Sequence, residues 1–185
     1  KNFIYARGNL FNDDLQKITY NEETKCYQGV FYYSYIGYNV TNERYEQAKE
    51  VANQALAQMD LDEKSEYEKV KKIMAWISKN VKYDEHYYGK PEQEAKTENP
   101  YDITGPLIDH YGVCEGYASV FYYFATAAGL RVLYEKGDNH AWNLIEIDDT
   151  FYYIDPTNTH FVNGEPDSEF LYGQNYMFTI FKPYK

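Results

Sequence analysis

Cys114 stands between two glycines, in the run Tyr111-Gly112-Val113-Cys114-Glu115-Gly116-Tyr117-Ala118. An apolar pattern at helical spacing follows it, which places the thiol in or near the first turn of a helix. The N–H groups and the dipole at such an end favour a thiolate over a thiol. They can also receive an oxyanion, so one location would both activate a nucleophile and hold its intermediate. Gly112 and Gly116 would leave room for a substrate backbone to approach. A lone cysteine is also a common small core residue, so this chemistry needs partners.

His140 and Asp155 are the candidate partners. His140 opens the strand-like run His140-Ala141-Trp142-Asn143-Leu144, and Asp155 sits in Tyr153-Ile154-Asp155-Pro156-Thr157. Each has an ordinary structural reading on its own: a histidine packed beside a Trp, and an Asp ending a strand before a proline. The turn at Asp148-Asp149 ties them together. A two-residue loop pairs Ile147 with Thr150 and Trp142 with Asp155, leaving His140 diagonal to Asp155. A four-residue loop pairs His140 with Asp155 directly. In both registers the two side chains share a face, within ~5–8 Å at Cβ. A three-residue loop without a bulge would separate them. On a shared face, the carboxylate can hold one ring nitrogen while the other meets a thiol, giving nucleophile, base and orienting acid.

Two other uses of these residues compete. Cys26 and Cys114 could form one disulfide, but Cys26 lies in an aromatic strand-like stretch and Cys114 at a helix start. His110, Cys114, His140 and His160 offer metal-ligand types. Gly112 lies at the helix boundary between His110 and Cys114, and no zinc spacing completes the set. No Asp-x-Asp-x-Asp-Gly loop suggests calcium. The expectation is no metal and no cofactor.

The elements that must position these residues follow from periodicity. A helix is expected over about 42–59, capped by Thr41 or Asn42, with Ala48, Val51, Ala52, Ala55, Leu56 and Met59 inward. A second is expected over about 63–80, capped by Asp62 or Ser65, with Tyr67, Val70, Ile73, Met74 and Ile77 inward. A third runs from Gly112 to Gly129, with Val113, Tyr117, Val120, Phe121, Phe124 and Ala128 buried and Gly129 as its left-handed stop. Strands are expected over 27–38 (with Gly29 and Gly37 as bulges), 130–136, 140–147, 150–155 and 176–181. The stretch Asp84–Pro106 shows no pattern and is long enough to be a lid or mobile segment. Helices followed by an antiparallel sheet make an α+β domain. Residues 1–40 read as a strand-rich extension packed on the same domain, and 41–185 as the domain that carries the chemistry.

Composition limits the function. The 185 residues carry 18 Lys and Arg against 29 Asp and Glu, a net charge of −11. No basic stripe offers the field that nucleic acid requires. No apolar run reaches the ~18 residues of a membrane span. Tyr 23, Phe 10 and Trp 2 make an aromatic-rich chain suited to strands and to wet, polar-tipped surfaces. The chain starts at Lys1 without an apolar leader, which reads as a mature or trimmed domain. Its acidity and two cysteines suit a secreted or surface-displayed protein, so an extracellular or cell-surface location is expected.

Gly112-Val113-Cys114-Glu115-Gly116-Tyr117-Ala118, His140-Ala141-Trp142-Asn143 and Tyr153-Ile154-Asp155-Pro156-Thr157 resemble the three motifs of the transglutaminase-like superfamily. Tyr67-Glu68-Lys69-Val70 and Val81-Lys82-Tyr83-Asp84 resemble the helix and following signature of its bacterial members. The likeness runs in order through residues 40–182; residues 1–26 carry none of it. It implies a papain-like fold, with Cys114 on a central helix packed against an antiparallel sheet. Cys114 would be the nucleophile, His140 the base and acid, and Asp155 its orienting group. The implied chemistry is acyl transfer through a thioester on peptide or isopeptide amides, ending in hydrolysis or in transamidation of an amine.

The same likeness suggests Tyr83 and the Cys114 N–H as oxyanion donors, and Trp142 as packing behind His140. Many relatives carry Gln or Trp after the cysteine, so Glu115 would alter the charge facing the substrate, and Asp84–Pro106 would set substrate choice. A peptide or protein substrate, such as a cell-wall or surface protein, is the expected partner. The alternative is a non-catalytic module that binds peptide or glycan through a tyrosine-rich face.

Overall fold

A computed structural model of the chain describes residues 19–21, 26–28, 40–137 and 139–173. Two compact units divide it, Lys1–Asn39 and Val40–Lys185. In the first, β1 (Thr19–Asn21) pairs antiparallel with β2 (Cys26–Gln28), setting Tyr20 opposite Tyr27. The strand expected beyond Gln28 and the last strand at 176–181 lie outside the described residues.

The second unit begins with α1 (Asn42–Met59), whose N-cap Thr41 accepts a hydrogen bond from the Arg44 N–H. Ala48, Ala52, Ala55 and Met59 face inward. Small residues at this spacing let the helix sit close to its neighbours. α2 (Glu66–Asn80) starts with a capping box in which Ser65 and Glu68 satisfy each other's backbone N–H groups. Val70, Ile73, Met74 and Ile77 are fully buried. Tyr67, expected on the same face, is 42 % exposed. It lies in the first turn, beyond the core, and covers Phe170 with ring centroids 5.9 Å apart.

α3 (Cys114–Ala127) is the centre of the unit. Tyr117, Ala118, Val120, Phe121, Phe124 and Ala125 are all buried, so it is enclosed on nearly every side, as an all-round apolar helix must be. Gly129, at φ +80°, ends it in the left-handed conformation, and the Leu130 N–H returns to the Ala125 carbonyl at 2.9 Å. α3 packs on an antiparallel sheet of β5 (Val132–Lys136), β6 (Ala141–Ile147) and β7 (Thr150–Ile154) with β6 central. The β6–β7 turn is Asp148-Asp149, with φ of 49° and 61°; two successive positive φ values match the right-handed strand twist. That turn pairs Ile147 with Thr150. Phe121, Ile145 and Ile154 are fully buried in the core that joins helix and sheet, and Phe124 meets Trp76 of α2 edge-on, each contributing about 1.5–3 kcal/mol by burial.

The patternless stretch after Tyr83 is highly organised. β3 (Lys82–Tyr83) pairs in parallel with β4 (Tyr111–Gly112), just before α3. Asp84 is 1 % exposed, and its carboxylate accepts the backbone N–H groups of His86, Lys96 and Thr97. The Thr97 hydroxyl donates to Asp109, which also pairs with Arg44 of α1. A wide helical turn, Gly105–Asp109, closes the segment. Its earlier part lies on the start of α3: the Val113 N–H donates to the Pro100 carbonyl at 3.0 Å.

This corrects the expected role of the glycines. A Cβ on Gly112 would lie 2.7 Å from Pro106 Cγ, and one on Gly116 would collide with the Pro100 carbonyl oxygen and lie 2.9 Å from Pro106 Cγ. The room they leave is filled by the chain's own Pro100–Pro106, not by a substrate backbone. No helix among the described residues is long and apolar enough to cross a membrane.

Candidate active site

Cys114 is the first residue of α3, after an extended N-cap at Val113. Its thiol is in no disulfide and is partly exposed. The parallel β3–β4 pair aligns Tyr83 with Gly112, two residues before the cysteine. The Tyr83 phenol lies beside the Cys114 backbone N–H and thiol. Burial, with the Cys114 thiol and Tyr88 nearby, pushes the phenol up to about 12. Tyr83 is therefore neutral and keeps its O–H proton as a donor. The two groups expected as oxyanion donors thus stand side by side at the start of α3.

His140 and Asp155 meet because the turn has two residues. The β6–β7 ladder ends at Asn143–Ile154, which leaves His140 and Asp155 just beyond the last pair, on one face. His140 Nε2 lies 2.8 Å from Asp155 Oδ2, with the side chains 11 % and 4 % exposed. With Nε2 donating to the carboxylate, Nδ1 remains for the thiol, and Cys114 is close enough to the ring to act on its charge. The Trp142 indole stacks on the imidazole at 6.1 Å and 25°. It is 1 % exposed, so it backs the ring and keeps bulk water from that side.

The electrostatics follow from this packing. Burial pulls the His140 imidazolium toward the neutral form, but the hydrogen bonds and charges of Asp155 and Cys114 outweigh it, and the ring is pushed up to about 9. A histidine that binds its proton more tightly when folded adds stability that is complete below its unfolded value of ~6.5. That contribution disappears as pH rises through about 9. Melting temperatures measured from pH 6 to pH 10 should therefore fall at the alkaline end, and His140→Gln should flatten that fall. A wild-type protein as stable at pH 10 as at pH 7 contradicts it.

The helix and sheet are held in register by polar bonds. Asn143, fully buried on β6, donates from Nδ2 to the Ala118 carbonyl of α3 at 3.1 Å and to the Leu133 carbonyl at 3.3 Å. Ala118 is one turn beyond Cys114, so this amide fixes the His140-bearing strand against the thiol-bearing helix. The Tyr117 hydroxyl donates to the Val81 carbonyl at 3.0 Å, tying α3 to the entry of β3. No function was assigned to Asn143 from the sequence. Its signal was an amide in a strand whose other residues are almost all apolar.

Glu115 does not present a bare charge to the cleft. Lys136 Nζ of β5 lies 2.6 Å from its Oε1, which corrects the sequence expectation. The structure thus brings Cys114, His140, Asp155, Tyr83 and Trp142 together. Gly116 is buried beneath Pro100. His110 ends the preceding turn at φ 64° and is exposed, as is His160. Among the described residues, no group of three or more His, Cys, Asp or Glu could hold a metal ion. A groove of about 810 Å³ between α2 and the hairpin of β8 (Phe161–Val162) and β9 (Glu165–Pro166) is lined by none of these side chains.

Comparison with known proteins agrees with the fold. The family model of the transglutaminase-like superfamily matches residues 53–156, a span that includes Cys114, His140 and Asp155. A solved structure described as that of a TGase superposes with a TM-score of 0.55 at 21 % identity, covering 78 % of this chain. The match spans only 39 % of that longer chain. At this identity the likeness is one of α+β, papain-like architecture. No curated protein matches the chain.

Proposed function

We propose that this chain, which belongs to the transglutaminase-like superfamily, performs acyl transfer on peptide or isopeptide amide bonds through a thioester at Cys114. The observation that carries the reading is the 2.8 Å contact of His140 Nε2 with the buried Asp155, on an imidazole close enough to the Cys114 thiol for the two to interact electrostatically. Asp155 holds Nε2–H and so fixes the tautomer in which Nδ1 is free to accept the thiol proton. The thiolate attacks the amide carbon, and the carbonyl oxygen takes the charge. The Tyr83 O–H stabilises that oxyanion, together with the neighbouring Cys114 N–H. Collapse breaks the C–N bond, and the imidazolium gives its proton to the departing amine. Water or a second amine, deprotonated by His140, then attacks the thioester and restores the thiol.

Intact-mass spectrometry after incubation with p-nitrophenyl acetate tests this. An acetyl thioester should form on the wild-type protein, be absent from Cys114→Ala, and decay faster when n-butylamine is added if amines serve as acceptors. Equal acetylation of the Cys114→Ala protein refutes the reading.

A further inference from the structure

Asp155 Oδ2 does not serve His140 alone. The same oxygen accepts Asn158 Nδ2 at 2.7 Å, while Oδ1 accepts the Thr157 N–H at 3.0 Å. The Thr159 hydroxyl donates to the Asp155 carbonyl at 2.8 Å and closes the turn. Asp155 is 3 % exposed, so its carboxylate depends on these donors in place of water. Asn158 itself is exposed, with its amide directed inward across Pro156 and Thr157. The Thr157 N–H holds Oδ1, and of the two donors on Oδ2 only Asn158 is independent of the imidazole that the carboxylate must orient.

We propose that Asn158 is a positioning residue that sets the rotation of the Asp155 carboxylate and, through it, the tautomer of His140. This rests on the reading above, in which Nδ1 takes the thiol proton. If Oδ2 swings away from Nε2, the imidazole can carry its proton on Nδ1 instead, and the thiol then faces a donor where it needs an acceptor. The titratable groups that meet at this point are Asp155 and His140, with Cys114 across the ring. Because Asn158 lies on the surface, its side chain can be changed without opening the core.

The test combines imidazole ¹⁵N–¹H spectra, with His140 assigned from His140→Gln, and the rate of Cys114 acetylation by p-nitrophenyl acetate. Above the titration of His140, the wild type should hold the Nε2–H tautomer. Asn158→Ala should populate Nδ1–H and slow acetylation about tenfold, the loss of one charge-assisted hydrogen bond. Asn158→Asp supplies the sharper signature. Its neutral carboxyl can donate the same bond at low pH and should restore the rate there. Once ionised it repels Asp155, so the pH–rate profile gains a downward step that the wild type lacks. An unchanged tautomer and rate in Asn158→Ala, or an Asn158→Asp profile parallel to the wild type, overturns the proposal. A wild type that forms no acetyl thioester defeats the catalytic reading, while the tautomer spectra still judge Asn158.

Discussion

Replacing His140 with alanine should slow acetylation of Cys114 by about a thousandfold or more, the usual cost of removing the base from a nucleophile–base pair. His140 provides both the acceptor for the thiol proton and the positive partner that holds the thiolate, and its ring is pushed up to about 9 by those same contacts. Without it the thiol must lose its proton to water, and the departing amine has no acid. Tyr83→Phe is the informative contrast. It removes one O–H donor from the oxyanion and should cost about 10²–10³ in rate, while the imidazole beside the thiol remains. Stopped-flow acetylation separates the two by pH. The Tyr83→Phe profile should keep the wild-type limbs at lower amplitude, and the His140→Ala profile should become that of a simple thiol. A His140→Ala protein within tenfold of the wild type would remove the imidazole from the mechanism.

Gly116→Ala should destabilise the protein by about 2–4 kcal/mol, as overpacking at a rigid contact does. At an open helical position this change is favourable by roughly 1 kcal/mol, because alanine is the better helix former. Here the new methyl meets the Pro100 carbonyl oxygen, with Pro106 Cγ at 2.9 Å and the Asp102 carbonyl oxygen at 3.3 Å. Two of the three are backbone atoms and cannot rotate aside. Relief requires lifting Pro100, which already accepts the Val113 N–H at 3.0 Å. Thermal unfolding should show the melting point lowered by roughly 5–15 °C, at about 2–4 °C per kcal/mol for a chain of this size. A variant that melts like the wild type yet loses activity would return Gly116 to the substrate-clearance role expected from its position beside the cysteine.

The parts of the molecule that the sequence determines by itself are those built from local patterns. The Asn42–Met59 helix and its Thr41 cap follow from apolar spacing and a hydroxyl placed to receive a backbone N–H. The stop at Gly129 follows from the one residue that adopts φ > 0 without strain. The pairing of Ile147 with Thr150 follows from Asp148-Asp149 as a two-residue turn, and the period of two along a strand then carries His140 and Asp155 to one face. That is why the His140–Asp155 contact at 2.8 Å was open to reasoning before any coordinates, given the right turn length.

Only the tertiary structure decided the surroundings of the thiol. β3 and β4 are two residues each and lie nearly thirty residues apart, so no periodicity announces that Tyr83 will align with Gly112. The stretch between them looked patternless because a buried carboxylate, Asp84, and a few hydroxyls organise it in place of an apolar stripe. Hydrogen-bond partners distant along the chain leave no trace in composition. Glu115 and Gly116 illustrate the same limit, since a charge is neutralised or a space filled by whichever segment arrives: Lys136 in one case and Pro100 in the other. Local sequence dictates which way a side chain points within its own element; what it meets there depends on how elements pack, and that is settled by the chain as a whole.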